Sequence, residues 1–202
     1  MKKISANEAA QLNRQFEDSP PEKVLEWAWK EFGNRAAIGT SFQGAGLVII
    51  DLSRRHGLPL PVFTLDTGLL FPETLELKKR LEDFFKVKIE ALEPELTVEK
   101  QAAEHGPELW KTKPDDCCWM RKVVPLQKKL ASLDLWVTGL RRDQSDTRRG
   151  IDVLEVYEFD PVLNQSILKL NPLARWKREE VWDYVKKNKI PYNPLFDRGY
   201  RS

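Results

Sequence analysis

The chain has 202 residues, 41% hydrophobic and 32% charged, with a formal net charge of +2. That balance allows one domain with a real core and gives no polyanion-binding signature, so any basic patch has to be local. No apolar run reaches membrane-spanning length and the start, MKKISANEAAQLNRQF, has no apolar signal core, so a cytoplasmic protein with reduced thiols is expected, without membrane or nucleic-acid partners.

Residues from about Ser5 to Phe32 predict two helices, the second announced by Ser19 and the prolines Pro20 and Pro21. Ala36–Gly39 is a short apolar run suited to a buried strand. It opens into a loop, Thr40 to Gly46, followed by an apolar helix from Leu47. A second buried strand is expected over Pro61–Asp66 and a helix from Phe71–Pro72 to about Phe85. Val87–Leu92 alternates like a third strand. Glu95 to Trp110 predicts a helix, and Pro114 ends a loop ahead of a helix that carries two cysteines. Leu135–Gly139 is a fourth buried strand, with a charged loop from Leu140 to Gly150 after it. Val153–Tyr157 and Ile167–Leu170 could be further strands, and Trp176 to Asn188 predicts an amphipathic helix with Val181, Trp182 and Val185 on one face. There is no internal repeat.

Short apolar strands alternating with helices indicate an α/β fold, a mainly parallel sheet covered by helices on both faces. Ligands of such sheets bind beyond the carboxyl ends of the strands, so the loops after the first, second and fourth strands should converge on one crevice. In the first, two hydroxyls and two glycines ahead of a helix could present backbone N–H groups to a phosphate, although an ordinary strand-to-helix turn reads the same way. In the second, Asp66, Thr67 and Gly68 end a strand and could meet a ligand or simply form a turn. In the third, Arg141, Arg142, Arg148 and Arg149 crowd one loop, and planar guanidinium forks suit phosphate or sulfate oxygens.

Cys117 and Cys118 are the only cysteines. A disulfide between neighbours closes a strained ring, so the pair reads either as thiolates for a soft metal or cluster, with Arg121 and Lys122 alongside, or as two small buried hydrophobes. His56 and His105 lie far apart and read as surface residues, and Trp119 as packing or as a shield over the thiols.

Ser41-Phe42-Gln43-Gly44-Ala45, Leu65-Asp66-Thr67-Gly68 with Phe71-Pro72-Glu73-Thr74, Cys117-Cys118 with Arg121-Lys122-Val123, and Thr138-Gly139-Leu140-Arg141-Arg142-Asp143-Gln144-Ser145 with Arg148 resemble the sulfonucleotide reductases. Tyr192 to Tyr200 is similar to the segment that closes that family's nucleotide domain, so the resemblance runs from about Gly39 onward. It implies an adenine-nucleotide alpha-hydrolase-like, Rossmann-like fold over residues 1–202, with an N-terminal helical segment over about 1–33. Its paired-cysteine branch resembles the assimilatory adenylylsulfate reductases, which carry a [4Fe–4S] cluster. On this mapping Cys117 and Cys118 ligate the cluster, and Lys122 lies between cluster and sulfate. Ser41, Gln43, Gly44, Asp66, Thr67, Gly68 and Gly139 line the nucleotide, while Arg141, Arg142 and Arg148 hold phosphate and sulfate oxygens.

The implied reaction reduces adenylylsulfate to sulfite and AMP. A tail cysteine forms a thiosulfonate that thioredoxin or glutaredoxin resolves, in a protein that is often a homo-oligomer. The family's Cys-x-x-Cys and Glu-Cys-Gly-Leu tail have no counterpart here, so a piece of a longer protein, with two of four cluster ligands and no catalytic tail, is expected. The alternatives are a 3′-phosphoadenylylsulfate or dual-substrate reductase, an ATP pyrophosphatase or nucleotidyl transferase, and a non-catalytic nucleotide-binding module. The first loop departs from the Ser-Gly-Gly-x-Asp-Ser pattern of the pyrophosphatases, which argues against ATP cleavage.

Overall fold

The computed structural model describes residues 4–200. The first three residues and the last two lie outside the described residues. Helices α1 (Ala6–Phe16) and α2 (Pro21–Phe32) lead into strand β1 (Ala36–Gly39), which matches the apolar run. Ser5 caps α1 through a reciprocal pair of hydrogen bonds with Glu8, and Pro21 opens α2 where a missing N–H costs nothing. After β1 come α3 (Gly44–Arg55), β2 (Val62–Leu65), α4 (Pro72–Phe85) and β3 (Ile89–Leu92). Then α5 (Val98–His105), α6 (Leu109–Thr112), α7 (Pro114–Cys118) and α8 (Val124–Leu130) precede β4 (Leu135–Val137). Strands β5 (Leu154–Asp160) and β6 (Gln165–Leu170) and helix α9 (Arg178–Lys187) complete the order.

The six strands lie in the order β3-β2-β1-β4-β6-β5, parallel except for β5, which runs antiparallel to β6 at the edge. The expected mainly parallel sheet is therefore present. Strand alternation sorts its side chains onto two faces. Ala36, Ile38, Val62, Leu135, Val137, Leu168 and Leu170 pack with residues of α1 to α4 and α9. Ala37, Phe63, Ile167 and Trp136 face the other way, toward Leu126 and Leu130 of α8.

Three local expectations change. Helix α3 starts at Gly44, so two glycines expected in a loop form its first turn. Gly46 is there because a Cβ would lie 2.3 Å from Thr40 Oγ1. The helix expected over Glu95 to Trp110 breaks between α5 and α6, where Gly106 takes φ +92° and Pro107 follows. The cysteine helix is not uniform: Trp119–Val123 is a π turn, in which Val124 donates to the Trp119 carbonyl. Pro125 explains it, since its ring crowds the Arg121 carbonyl one ordinary turn back and it has no N–H to give.

Candidate active site

The sheet reverses its build direction between β1 and β4, and at the carboxyl ends of these strands lies a crevice of about 770 Å³. Thr40 to Gly46, the ends of β2 and β4, the arginine loop and the start of α9 line it.

One wall is the β1–α3 connection. Phe42 is buried with φ 59°, a conformation uncommon for a bulky residue, and its N–H donates to Thr40 Oγ1 at 3.0 Å. This tight turn aims α3 at the crevice. Gln43 at the N-cap makes no side-chain cap bond and the first turn has no acidic residue, so the N–H groups and positive end of α3 stay open to an anion. Ser41, Gln43 and Gly44 all line the crevice here, as does Gly139 at the end of β4.

The arginine loop forms the opposite wall. Arg141 is 8% exposed. Its Nε donates to Asp143 Oδ1 at 3.0 Å, and among the described residues its terminal Nη groups have no acceptor. Arg148 is steered by Gln144 (Nη1 to Oε1, 2.6 Å), whose Oε1 also accepts from the Arg141 N–H. Arg141 and Arg148 line the crevice, with Arg178 from α9 joining them. Arg142 does not. Its guanidinium forms a two-pronged pair with Glu17 at 2.5 and 2.9 Å and donates from Nε to the Ile151 carbonyl, tying the end of α1 to the loop. That partnership holds the Glu17 carboxyl below the usual range. Arg142, expected to hold an anion, is engaged by Glu17 and lies outside the crevice lining.

Asp66, Thr67 and Gly68 are not on the crevice surface, although the flanking Leu65 and Leu70 are. Asp66 Oδ1 accepts from the Gly68 N–H at 2.9 Å, which is turn chemistry. Gly68 takes φ +67°, and a Cβ there would lie 2.9 Å from Arg121 Nη2. Arg121, 2% exposed, donates to the Thr67 carbonyl at 2.5 Å, the Leu96 carbonyl at 3.1 Å and Gln101 Oε1 at 3.0 Å. Gln101 points its amide nitrogen at Cys117 Sγ, 3.9 Å away. Cys117 is buried, while Cys118, Trp119 and Lys122 are exposed. Neither cysteine nor Lys122 lines the crevice. Among the described residues no group of three or more His, Cys, Asp or Glu side chains is placed to hold a metal.

Sequence reasoning missed Arg178 and placed Trp182 only on the apolar face of its helix. Both line the crevice, and Trp182 packs edge-on against Phe196 of the closing segment. They reach it because α9 packs on α3: Tyr184 donates to Asp51 Oδ2 at 2.7 Å. No local signal announces that contact.

The phosphoadenosine phosphosulfate reductase domain model matches residues 35–202. The chain belongs to that family. It is 41% identical over 198 residues to adenosine 5′-phosphosulfate reductase of Salinibacter ruber, covering 98% of this chain and 77% of the relative. It is 39% identical over 194 residues to the enzyme of the same name from Halalkalibacterium halodurans, covering 95% and 81%. The fold matches that of phosphoadenylyl-sulfate reductase from Candida auris, solved as a phosphate complex, at a TM-score of 0.86 and 30% identity, over 100% of this chain and 95% of that one. Among the described residues no helix is long and apolar enough to cross a membrane.

Proposed function

We propose that the crevice binds adenylylsulfate and that the protein reduces it to sulfite and AMP as a sulfur-acting oxidoreductase of sulfate assimilation. One observation carries this reading: the uncapped end of α3 faces arginines from two other elements across the switch point of the sheet. Such a constellation suits a ligand with anionic groups beside an adenosine. The relatives named adenosine 5′-phosphosulfate reductase support the choice of substrate.

In the reaction, the thiolate of the family's tail cysteine, distinct from Cys117 and Cys118, attacks the sulfur of the sulfate group, and the bond from that sulfur to the phosphate oxygen breaks with AMP leaving. A thiolate of thioredoxin or glutaredoxin then attacks the cysteine sulfur, the sulfur–sulfur bond breaks with sulfite leaving, and a mixed disulfide forms. A second donor thiol attacks that disulfide, releases the enzyme cysteine and leaves the donor oxidised to its disulfide. Arg141, Arg148 and Arg178 stabilise the charge that grows on the departing AMP, already aimed before the reaction. Ser41, Gln43, Gly44 and Gly139 bring backbone close to the nucleotide. A cytoplasmic homo-oligomer is part of the same reading.

A [4Fe–4S] cluster takes four thiolates. This sequence has two cysteines, and the described residues bring no further ligand beside them. Cys117 and Cys118 therefore supply half of the donor set and do not fit the whole group.

The Candida auris relative's name favours a second reading, the 3′-phosphorylated nucleotide as substrate. Sulfite release from each nucleotide by the intact gene product, with a dithiol donor, separates them. Faster turnover of adenylylsulfate is expected, and a strong preference for the 3′-phosphorylated form would overturn the choice. Iron and acid-labile sulfide in the anaerobically purified product of the intact gene test the cysteine assignment. About four of each per chain supports a cluster, and none removes it.

A further inference from the structure

Asp143 is the one carboxylate among the described residues lining the crevice, where every cation is an arginine. A lone negative charge in an anion site repels the ligand unless it does something else. Here each of its oxygens is engaged. Oδ1 accepts from Arg141 Nε at 3.0 Å, and Oδ2 accepts from the backbone N–H of Arg178 at 2.6 Å. That N–H is one of the orphan donors at the start of α9, whose N-cap residue Lys177 supplies no side-chain cap bond. The Nε contact leaves Arg141 its terminal fork, the part of a guanidinium that grips two oxygens at once. Arg141 side-chain exposure is 9% and that of Asp143 is 29%, so the pair is partly shielded from water and its geometry is held firmly.

We propose that Asp143 is a positioning residue: its carboxylate sets the Arg141 fork toward the anionic group of the ligand and pins the first turn of α9, which carries Arg178. Two arginines from elements far apart in sequence are thus set by one side chain. The neighbouring Gln144 aims Arg148 without cancelling its charge. This rests on the nucleotide reading above.

The test is calorimetric binding of AMP and adenosine to the full chain and to Asp143→Asn and Asp143→Glu. The two ligands differ by the phosphate alone, so a merely structural role moves both. A merely repulsive carboxylate would tighten AMP when neutralised. The expected result for Asp143→Asn is AMP binding weaker by about tenfold or more, the size of one lost charge-assisted contact, with adenosine within about twofold. Asp143→Glu should recover part of the loss. AMP affinity unchanged or improved in Asp143→Asn, or an equal loss of adenosine, overturns the proposal while leaving the nucleotide reading intact. Failure of the unaltered chain to bind AMP overturns that reading and the proposal with it.

Discussion

Arg121 and Arg141 are both buried arginines beside strand-following loops, yet they do opposite work. Arg121 is closed in by two carbonyls and an amide, and it joins the β2 loop to the cysteine helix. Arg141 is held at Nε alone and keeps its fork for something from outside. Burial of a cation does not by itself mark a ligand site. What marks it is the number of its donors the protein leaves open.

The largest effect should come from the closed arginine. Arg121→Ala strands the Thr67 and Leu96 carbonyls and leaves a cavity beside Gln101. Destabilisation of about 3 kcal/mol is expected, a fall in melting temperature on the order of 5–10 °C by calorimetry. An unchanged melting temperature would erase the contrast. The open arginine should behave in reverse. Arg141→Lys keeps the charge and loses the fork, so AMP affinity should drop about tenfold by titration, with the melting temperature moving by only a few degrees.

A smaller effect belongs to the fastening pairs. Arg35, just before β1, forms a second such pair with Asp134, just before β4, at 2.5 and 2.8 Å. The Glu17 and Asp134 carboxyls are held low by hydrogen bonds and charge from Arg142 and Arg35. A depressed carboxyl contributes stability above its unfolded pKa of about 4 and loses it as pH falls through the folded value. Melting temperature should therefore be flat at neutral pH and decline below about pH 4. Glu17→Gln should make that decline shallower, and an equal acid slope in the variant would show the pair to be idle. The smallest effect is that of Arg142→Lys, within about 1 kcal/mol in stability because the pair is partly solvated, with AMP affinity unchanged because this side chain does not face the crevice.

Sequence legibility followed the same division. Strand β1 was readable to the residue because a run of small apolar side chains between a turn and a hydroxyl-rich loop fits only a buried strand. The convergence of the first and third loops followed from the rule for parallel sheets. Arg142 was not separable from Arg141, since adjacent side chains point apart and only the tertiary partner of each decides its task. Arg178 was invisible because packing of α9 on α3, through Tyr184 and Asp51, brings it in from the far end of the chain. Gly44 and Gly46 looked like loop residues. Each sits where a Cβ would collide, Gly46 with Thr40 Oγ1 and Gly44 with Val181 of α9 at 2.9 Å, and no propensity encodes those approaches.

The wide turn over Trp119–Val123 has a directional consequence. A turn bonded from i to i+5 admits one residue more than an ordinary one, and each residue advances an α-helix by about 100°. Everything before the turn is therefore rotated about the helix axis relative to α8. Without that rotation Cys117 would leave its place opposite Gln101, and a different side chain would sit inside. Pro125, a residue with no chemistry of its own, thus acts as the phase setting that decides which of two neighbouring thiols faces the protein and which faces the world.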